Sequence, residues 1–190
     1  MSLLSRIHEE AERVDVAVYA AIAGTSTPTL DRAMARLSRA ADYSRLSLAA
    51  AAVLATAGGA SGRRAAKAGL ASVGVTATII NLVFKPLSSR RRPDRVAQEV
   101  PVDRHVRMPI SSSFPSGHSA AAFAFATGVG HLSPVAAAPL HGLAALVAYS
   151  RVHTGVHYPG DVIVGSVVGA TIGEATLLAT RALLRRRVRA

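Results

Sequence analysis

The sequence has no cysteine among its 190 residues, which excludes disulfides, thiolate zinc sites, iron–sulfur clusters and cysteine nucleophiles together. Charge is scarce as well: 17% of the residues are Asp, Glu, Lys or Arg, against about 25% in an ordinary soluble domain. Acids are the scarcer sign, 11 against 22 Lys plus Arg, so the net charge is +11. Half the residues are hydrophobic and the mean hydropathy is +0.32, a balance that points to a bilayer. In so apolar a chain the surplus positive charge suits anionic headgroups or phosphate rather than nucleic acid. The length fits one domain with one continuous core. The acidic start lacks the basic n-region and unbroken apolar h-region of a cleavable leader.

Charge-free stretches locate the membrane spans, because a charge at mid-bilayer is costly. Residues 46–62 and 68–84 are each just long enough to cross. The stretch 108–150 contains no Asp, Glu, Lys or Arg and holds two spans with a turn at Ser133-Pro134. Residues 162–180 are interrupted only by Glu174 and lead to Arg181, Arg185, Arg186, Arg187 and Arg189. The expectation is an all-α integral membrane protein, a bundle of about five transmembrane helices. Val14 to Ala23 is too short to cross alone, and an extension through Leu30 would make a sixth span containing Pro28.

Acids and bases alternate through residues 1–45, as expected of an amphipathic interfacial segment. Thr29 to Ala40 sets Leu30, Met34 and Leu37 on one helical face with arginines opposite. The organisation is therefore an interfacial segment over 1–45, a transmembrane core over 46–180 and a basic tail over 181–190.

Five crossings open the loops Lys85 to Pro115 and Arg151 to Pro159 on the same side, and three polar segments lie there. In Lys85-Pro86-Leu87-Ser88-Ser89-Arg90-Arg91-Arg92-Pro93 a span gives way to a basic loop. Arginine forks grip phosphoryl oxygens through paired hydrogen bonds, and lysine meets them as a point charge. Phe114-Pro115-Ser116-Gly117-His118-Ser119 opens a helix whose first amides suit an oxyanion, with His118 placed to deliver a proton. Ser150 to Asp161 sets His157 and Asp161 four apart. Asp161, in the first turn of the next helix, accepts from one imidazole nitrogen and frees the other as nucleophile or base. Taken singly, each segment also reads as an ordinary helix end.

Together they carry a resemblance. Lys85 with Arg92-Pro93, Pro115-Ser116-Gly117-His118, and Ser150-Arg151 with His157 and Asp161 match without a gap the tripartite signature of the type 2 phosphatidic acid phosphatase family. That family of lipid phosphate phosphatases shares a helical core with vanadium haloperoxidases. The resemblance spans roughly residues 46–180. It implies that His157 attacks phosphorus to give a phosphohistidine, that Asp161 orients it, and that His118 protonates the leaving oxygen and then activates water. It further implies that Lys85, Arg92, Arg151, Ser116 and the Gly117 amide hold the phosphoryl oxygens, with no metal and no cofactor.

The expected substrate is a phosphorylated membrane lipid. The Ala- and Arg-heavy composition suggests a high-GC bacterium, which favours a polyprenyl diphosphate or a polyprenyl-phosphoryl sugar phosphate such as decaprenylphosphoryl phosphoribose. Phosphatidylglycerol phosphate and phosphatidic acid are the alternatives, and a basic protein that binds anionic lipids without turnover is the non-enzymatic one. The expected location is a bacterial inner membrane, with the site on its extracytoplasmic side. Gly165, Gly169 and Gly173 form a close-packing face for the internal bundle or for a homodimer. His153, His105, His131 and His141 carry no role that the signature requires. Arg90, Arg91, Arg95, Arg104 and Arg107 are read as setting a positive potential at the site mouth.

Overall fold

The computed structural model describes residues 3–189, and within them all side chains except those of residues 4, 8 and 184–189. The expected role of Arg185, Arg186, Arg187 and Arg189 as a basic tail therefore lies outside the described residues. The elements are α1 (Leu3–Gly24), α2 (Pro28–Ala40), a 3-10 turn (Asp42–Ser44), α3 (Arg45–Ala57), α4 (Gly59–Ile79), a π-helical turn (Ile80–Phe84) and α5 (Lys85–Leu87). The connection 88–116 contains a 3-10 turn (Val102–Arg104) and leads to α6 (Gly117–Gly130), α7 (Pro134–His153) and α8 (Pro159–Arg189). Pro28, Pro134 and Pro159 each stand at the first turn of a helix, where the missing N–H costs nothing.

Helix α6 is the hub, packing against α4, α7 and α8. It lies closest to α8 because Gly165, Gly169 and Gly173 turn toward it: a Cβ at Gly165 would come 2.5 Å from the Ser116 carbonyl, and one at Gly169 would fall on that of Ala120. The glycine face thus serves the internal bundle. Phe125 and Val129 of α6 close the core with Ala65, Ala66 and Val73 of α4 and Ala51 of α3. On the outside, Leu48, Val53, Val75, Leu82, Leu146, Ile163 and Val167 are exposed, an apolar outer surface suited to lipid.

Three helices are long and apolar enough to cross a membrane among the described residues: Gly59–Leu87, Pro134–His153 and Pro159–Leu183. The spans expected at 46–62 and after 108 are shorter helices of 13 and 14 residues, each about 20 Å long against a hydrocarbon core of about 30 Å. The first helix stops early because Gly58 and Gly59 turn the chain, Gly59 with a φ of 57°. Arg63, Arg64 and Lys67 consequently ride on the first turns of α4 rather than on a loop.

The N-terminal segment is stitched to the core through acids. Asp15, Tyr19 and Ala23 form the buried edge of α1. Helix α2 differs from the expected Leu30–Met34–Leu37 face: Asp31, Met34, Ala35 and Ser38 are buried, and Leu30 is exposed. The polar residues can face inward because each finds a partner. Asp31 Oδ1 accepts from Arg104 Nε and pairs with His153 Nε2, both at 2.8 Å, and Ser38 Oγ accepts from Arg151 at 2.6 Å. Arg104, fully buried, also caps the end of α1 by donating to the carbonyls of Ile22, Ala23 and Thr25.

The glycine face gives a direct test of this packing. Gly169→Val is expected to destabilise the detergent-solubilised protein by about 3 kcal/mol through overpacking. Gly142→Val, in α7 where nothing lies within 4 Å, is expected to leave the thermal midpoint nearly unchanged.

Candidate active site

The turn between α7 and α8 is wound onto one carbonyl. Val156 N and His157 N both donate to Arg151 O, at 3.0 and 3.1 Å, which fixes His157 beside Arg151. Gly155 takes a φ of 66° to make the turn, and a Cβ there would stand 2.8 Å from Tyr19 Oη. Asp161, in the first turn of α8, reaches back to accept from Tyr158 N at 2.9 Å, half of a capping box.

The same carboxylate organises the nucleophile candidate. Asp161 Oδ2 lies 3.4 Å from His157 Nδ1 and accepts from Ser113 Oγ at 2.5 Å. On the far side of the ring, Arg92 Nη1 approaches His157 Nε2 at 3.2 Å. A guanidinium has only donors, so Nε2 must carry the lone pair and Nδ1 the proton. The nitrogen facing the cations is therefore the nucleophilic one. Burial, followed by the fields of Arg92 and Arg151 and against the pull of Asp161, pushes the His157 imidazole down to about 3, so it is neutral at physiological pH.

The cations gather around it. Lys85, set at the end of the π-helical turn, donates to Ser111 Oγ at 2.7 Å. Arg92 donates to the carbonyls of Ser111, Val156 and Ser112. Arg151 is almost wholly buried, and its Nε–H has no partner among the described residues. An unsatisfied buried guanidinium donor is costly unless an anion meets it. Gly117 stands against this group, since a Cβ on it would lie 4.0 Å from Lys85 Cε. Ser116 serves the helix start: its N–H donates to Asp161 O at 2.9 Å, and its hydroxyl oxygen accepts from Ser119 N and Oγ. All eight residues singled out in the sequence lie in this one region.

Several others were passed over. Asp42, in the 3-10 turn before α3, pairs through Oδ1 with His118 Nε2 at 3.0 Å. Arg90 does more than set a potential: it donates to Asp161 Oδ1 at 2.8 Å and to Asp15 Oδ2 at 2.6 Å, and lies over the Tyr158 ring. Burial works against its charge, but the two carboxylates outweigh that and hold it above the ordinary arginine value. Ser113 and Ser111 carried no signal beyond a serine run before Phe114. His153 belongs to the Asp31 cluster, and Glu174 pairs with His131 at the opposite end of the bundle. No group of three or more His, Asp or Glu suited to a metal ion occurs among the described residues.

Two spaces meet at the site. A cavity of about 410 Å³ lies between α3, α4, α6 and α7, with Tyr43, Ser47, Ile80, Asn81 and Val147 in its wall and Lys85, Gly117 and His118 at its end. A second, of about 510 Å³, lies in the basic connection between Ser88–Arg92 and Met108–Ser112.

Comparison with known proteins places this geometry. Residues 66–185 match the PAP2 superfamily. Over 98 residues the chain is 41% identical to the decaprenylphosphoryl-5-phosphoribose phosphatase of two Mycobacterium tuberculosis strains, a match that covers 50% of this chain and 50% of each relative. The chain thus spans about half the length of the curated relatives it matches. In fold it is similar to LpxE of Aquifex aeolicus, with a TM-score of 0.68 and 24% identity over 85% of this chain and 93% of that one. It is also similar to a PAP2 type phosphatidylglycerolphosphate phosphatase of Bacillus subtilis, with a TM-score of 0.69 and 22% identity over 91% and 87%.

The histidine environment predicts a titration. An imidazole depressed to about 3 gains its proton only as the pH falls toward that value, so the His157 ring signal, assigned by its loss in His157→Asn, should not move between pH 8 and pH 5 in an NMR titration. A midpoint near the ordinary histidine value would contradict the buried, cation-flanked geometry.

Proposed function

The chain belongs to the PAP2 superfamily, and on that premise we propose that it is a membrane lipid phosphate phosphatase working through a phosphohistidine, without metal. The observation that carries the reading is the two-sided grip on His157, with Nδ1 facing Asp161 and the Nε2 lone pair among Arg92 and Arg151. In the first step the Nε2–P bond forms and the bond from phosphorus to the leaving oxygen breaks, and His118 gives that oxygen a proton. In the second, water loses a proton to His118 and bonds to phosphorus, and the P–N electron pair returns to His157. The sum is phosphate ester plus water giving alcohol plus phosphate. Lys85, Arg92 and Arg151 supply the positive charge that the phosphoryl oxygens need as charge shifts in the transition state.

The favoured substrate is a polyprenyl-phosphoryl sugar phosphate of the decaprenylphosphoryl phosphoribose type. The 41% identity to phosphatases of that name supports it. So does the mixed wall of the larger interhelical cavity, where Tyr43, Ser44, Ser47 and Asn81 offer a sugar hydrogen bonds beside the apolar Ile80, Ala121 and Val147. The decisive assay is phosphate release by detergent-purified protein in EDTA, with decaprenylphosphoryl phosphoribose, a polyprenyl diphosphate, phosphatidylglycerol phosphate and phosphatidic acid as substrates. The sugar phosphate should be hydrolysed fastest, and His157→Ala should lose at least about 1,000-fold. Binding without release would revive the non-catalytic lipid binder, and preference for another lipid would overturn the substrate assignment.

The membrane is taken to be a bacterial inner membrane with the site on its outer side. Arg63, Arg64 and Lys67 lie at the end of α4 away from Lys85, where they act as inside-facing charges. The arginines of the site-side connection count for less, because Arg90 and Arg104 are neutralised by Asp15, Asp161 and Asp31. A cysteine-free sequence makes the test clean: Ile110→Cys, at a fully exposed position, should react with an impermeant maleimide in intact cells. Labelling only after permeabilisation would reverse the orientation.

A further inference from the structure

We propose that Asp42 is a positioning residue for the reaction, holding the His118 ring by its Nε2–H so that Nδ1 carries the proton exchanged with the leaving oxygen and with water. The inference rests on the phosphatase reading above. Its starting point is the 3.0 Å contact between Asp42 Oδ1 and His118 Nε2. An ionised carboxylate only accepts, so Nε2 keeps its hydrogen and Nδ1 is left as the exchangeable nitrogen.

The backbone supports a dedicated placement. Tyr43 and Ser44, which follow Asp42, both lie in the left-handed region with φ of 57°. Neither is glycine, and neither the 3-10 turn nor α3 begins with a side-chain cap, so the strained turn is not explained by capping. What it achieves is to bring Asp42 to His118. Strain kept at one point in this way is a mark of function when the geometry it enforces is chemical.

Charge supplies the second support. The groups facing His118 are Asp42 from the turn, Arg151 from α7 and Lys85 from α5. Arg151 Nη1 is 3.9 Å from the same Asp42 oxygen. Two cations disfavour an imidazolium, yet the ring must be protonated when the leaving oxygen needs its hydrogen. Asp42 is the one carboxylate among these groups. The site thus has two Asp–His pairs with opposite tautomers: Asp161 faces Nδ1 of the nucleophile and frees Nε2, whereas Asp42 holds Nε2 of the acid and frees Nδ1.

The test uses the full-length protein with Asp42→Asn, Asp42→Glu, His118→Ala and the Asp42→Asn/His118→Ala double variant. Two substrates separate the roles: phosphatidic acid, whose alkoxide must be protonated, and p-nitrophenyl phosphate, whose phenolate leaves without help. Asp42→Asn should lower kcat on the alkyl phosphate about 100-fold, change KM little and slow the aryl phosphate only a few-fold. The double variant should be no slower than His118→Ala, and Asp42→Glu should recover part of the loss. Independently of turnover, the His118 ring midpoint in an NMR titration should fall by about one pH unit in Asp42→Asn, because the imidazolium loses its counter-charge. Equal losses on both substrates, additivity with His118→Ala, or an unmoved titration would reduce Asp42 to a packing role. A rise in kcat/KM would show instead that its carboxylate obstructs the phosphoryl position. If the wild type hydrolyses nothing, the phosphatase reading fails, and the titration still decides whether Asp42 controls the ring.

Discussion

One buried carboxylate sets the conditions for everything around it. Asp161 is wholly inaccessible, and an ion in that position survives only with a full set of partners. Arg90 satisfies one oxygen, while Ser113, Tyr158 N and His157 converge on the other. Each partner then fixes something else. Tyr158 N secures the start of α8, His157 is held as the tautomer with a free Nε2, and Ser113 and Arg90 fold the long connection over the site, joined further by Ser113 N donating to Arg90 O at 2.9 Å. The second arm of Arg90 takes Asp15, and so anchors α1. The distance from a buried charge to a placed nucleophile is a single hydrogen bond.

The cations of the region fall into two groups according to what holds them. Arg90 and Arg104 meet carboxylates within 2.8 Å, and such pairs have little field left for a third party. Lys85, Arg92 and Arg151 are held instead by hydroxyls and carbonyls of Ser111, Ser112, Val156 and Ser38. Neutral dipoles orient a cation without cancelling it, so these three keep their charge for an anion in a setting where little water competes. Arg151 comes closest to a carboxylate of the three, at 3.9 Å from Asp42, and it is also the one with an unsatisfied Nε–H. The scarcity of acids thus acquires a meaning, since each one placed near the site decides which cation is structural and which is functional.

How much of this was legible in the sequence follows from the range of each interaction. The eight signature residues sit at helix ends in short runs, where local spacing carries the information. The bundle is legible for the same reason, because a charge-free run reports its own burial. The turn at Gly58-Gly59 was hidden inside such a run, where composition does not change across the break. Helix α2 misled because an apolar stripe through Leu30, Met34 and Leu37 assumes that polar residues face out, while Asp31 and Ser38 face in toward Arg104, His153 and Arg151. Asp42 and Arg90 were invisible for a related reason: their partners stand 76 and 71 residues away, and nothing in an isolated Asp or Arg names its counterpart.

The two spaces that meet at the site give the chemistry a direction. The interhelical cavity ends on His118, the residue that protonates the leaving oxygen, and the basic space lies on the side of Arg90 and Arg92, among the phosphoryl-holding groups. An alcohol released at His118 therefore has an apolar retreat, whereas inorganic phosphate leaves through a polar, positively charged mouth. This separation matters because one histidine serves both steps. Water cannot take its place at His118 until the alcohol has moved off, and an alcohol that stayed would regenerate the substrate by attacking the phosphohistidine. Withdrawal of the apolar product from the reacting centre is what makes the phosphoenzyme partition toward water, so the division between the two spaces is part of the mechanism as much as the residues that border them.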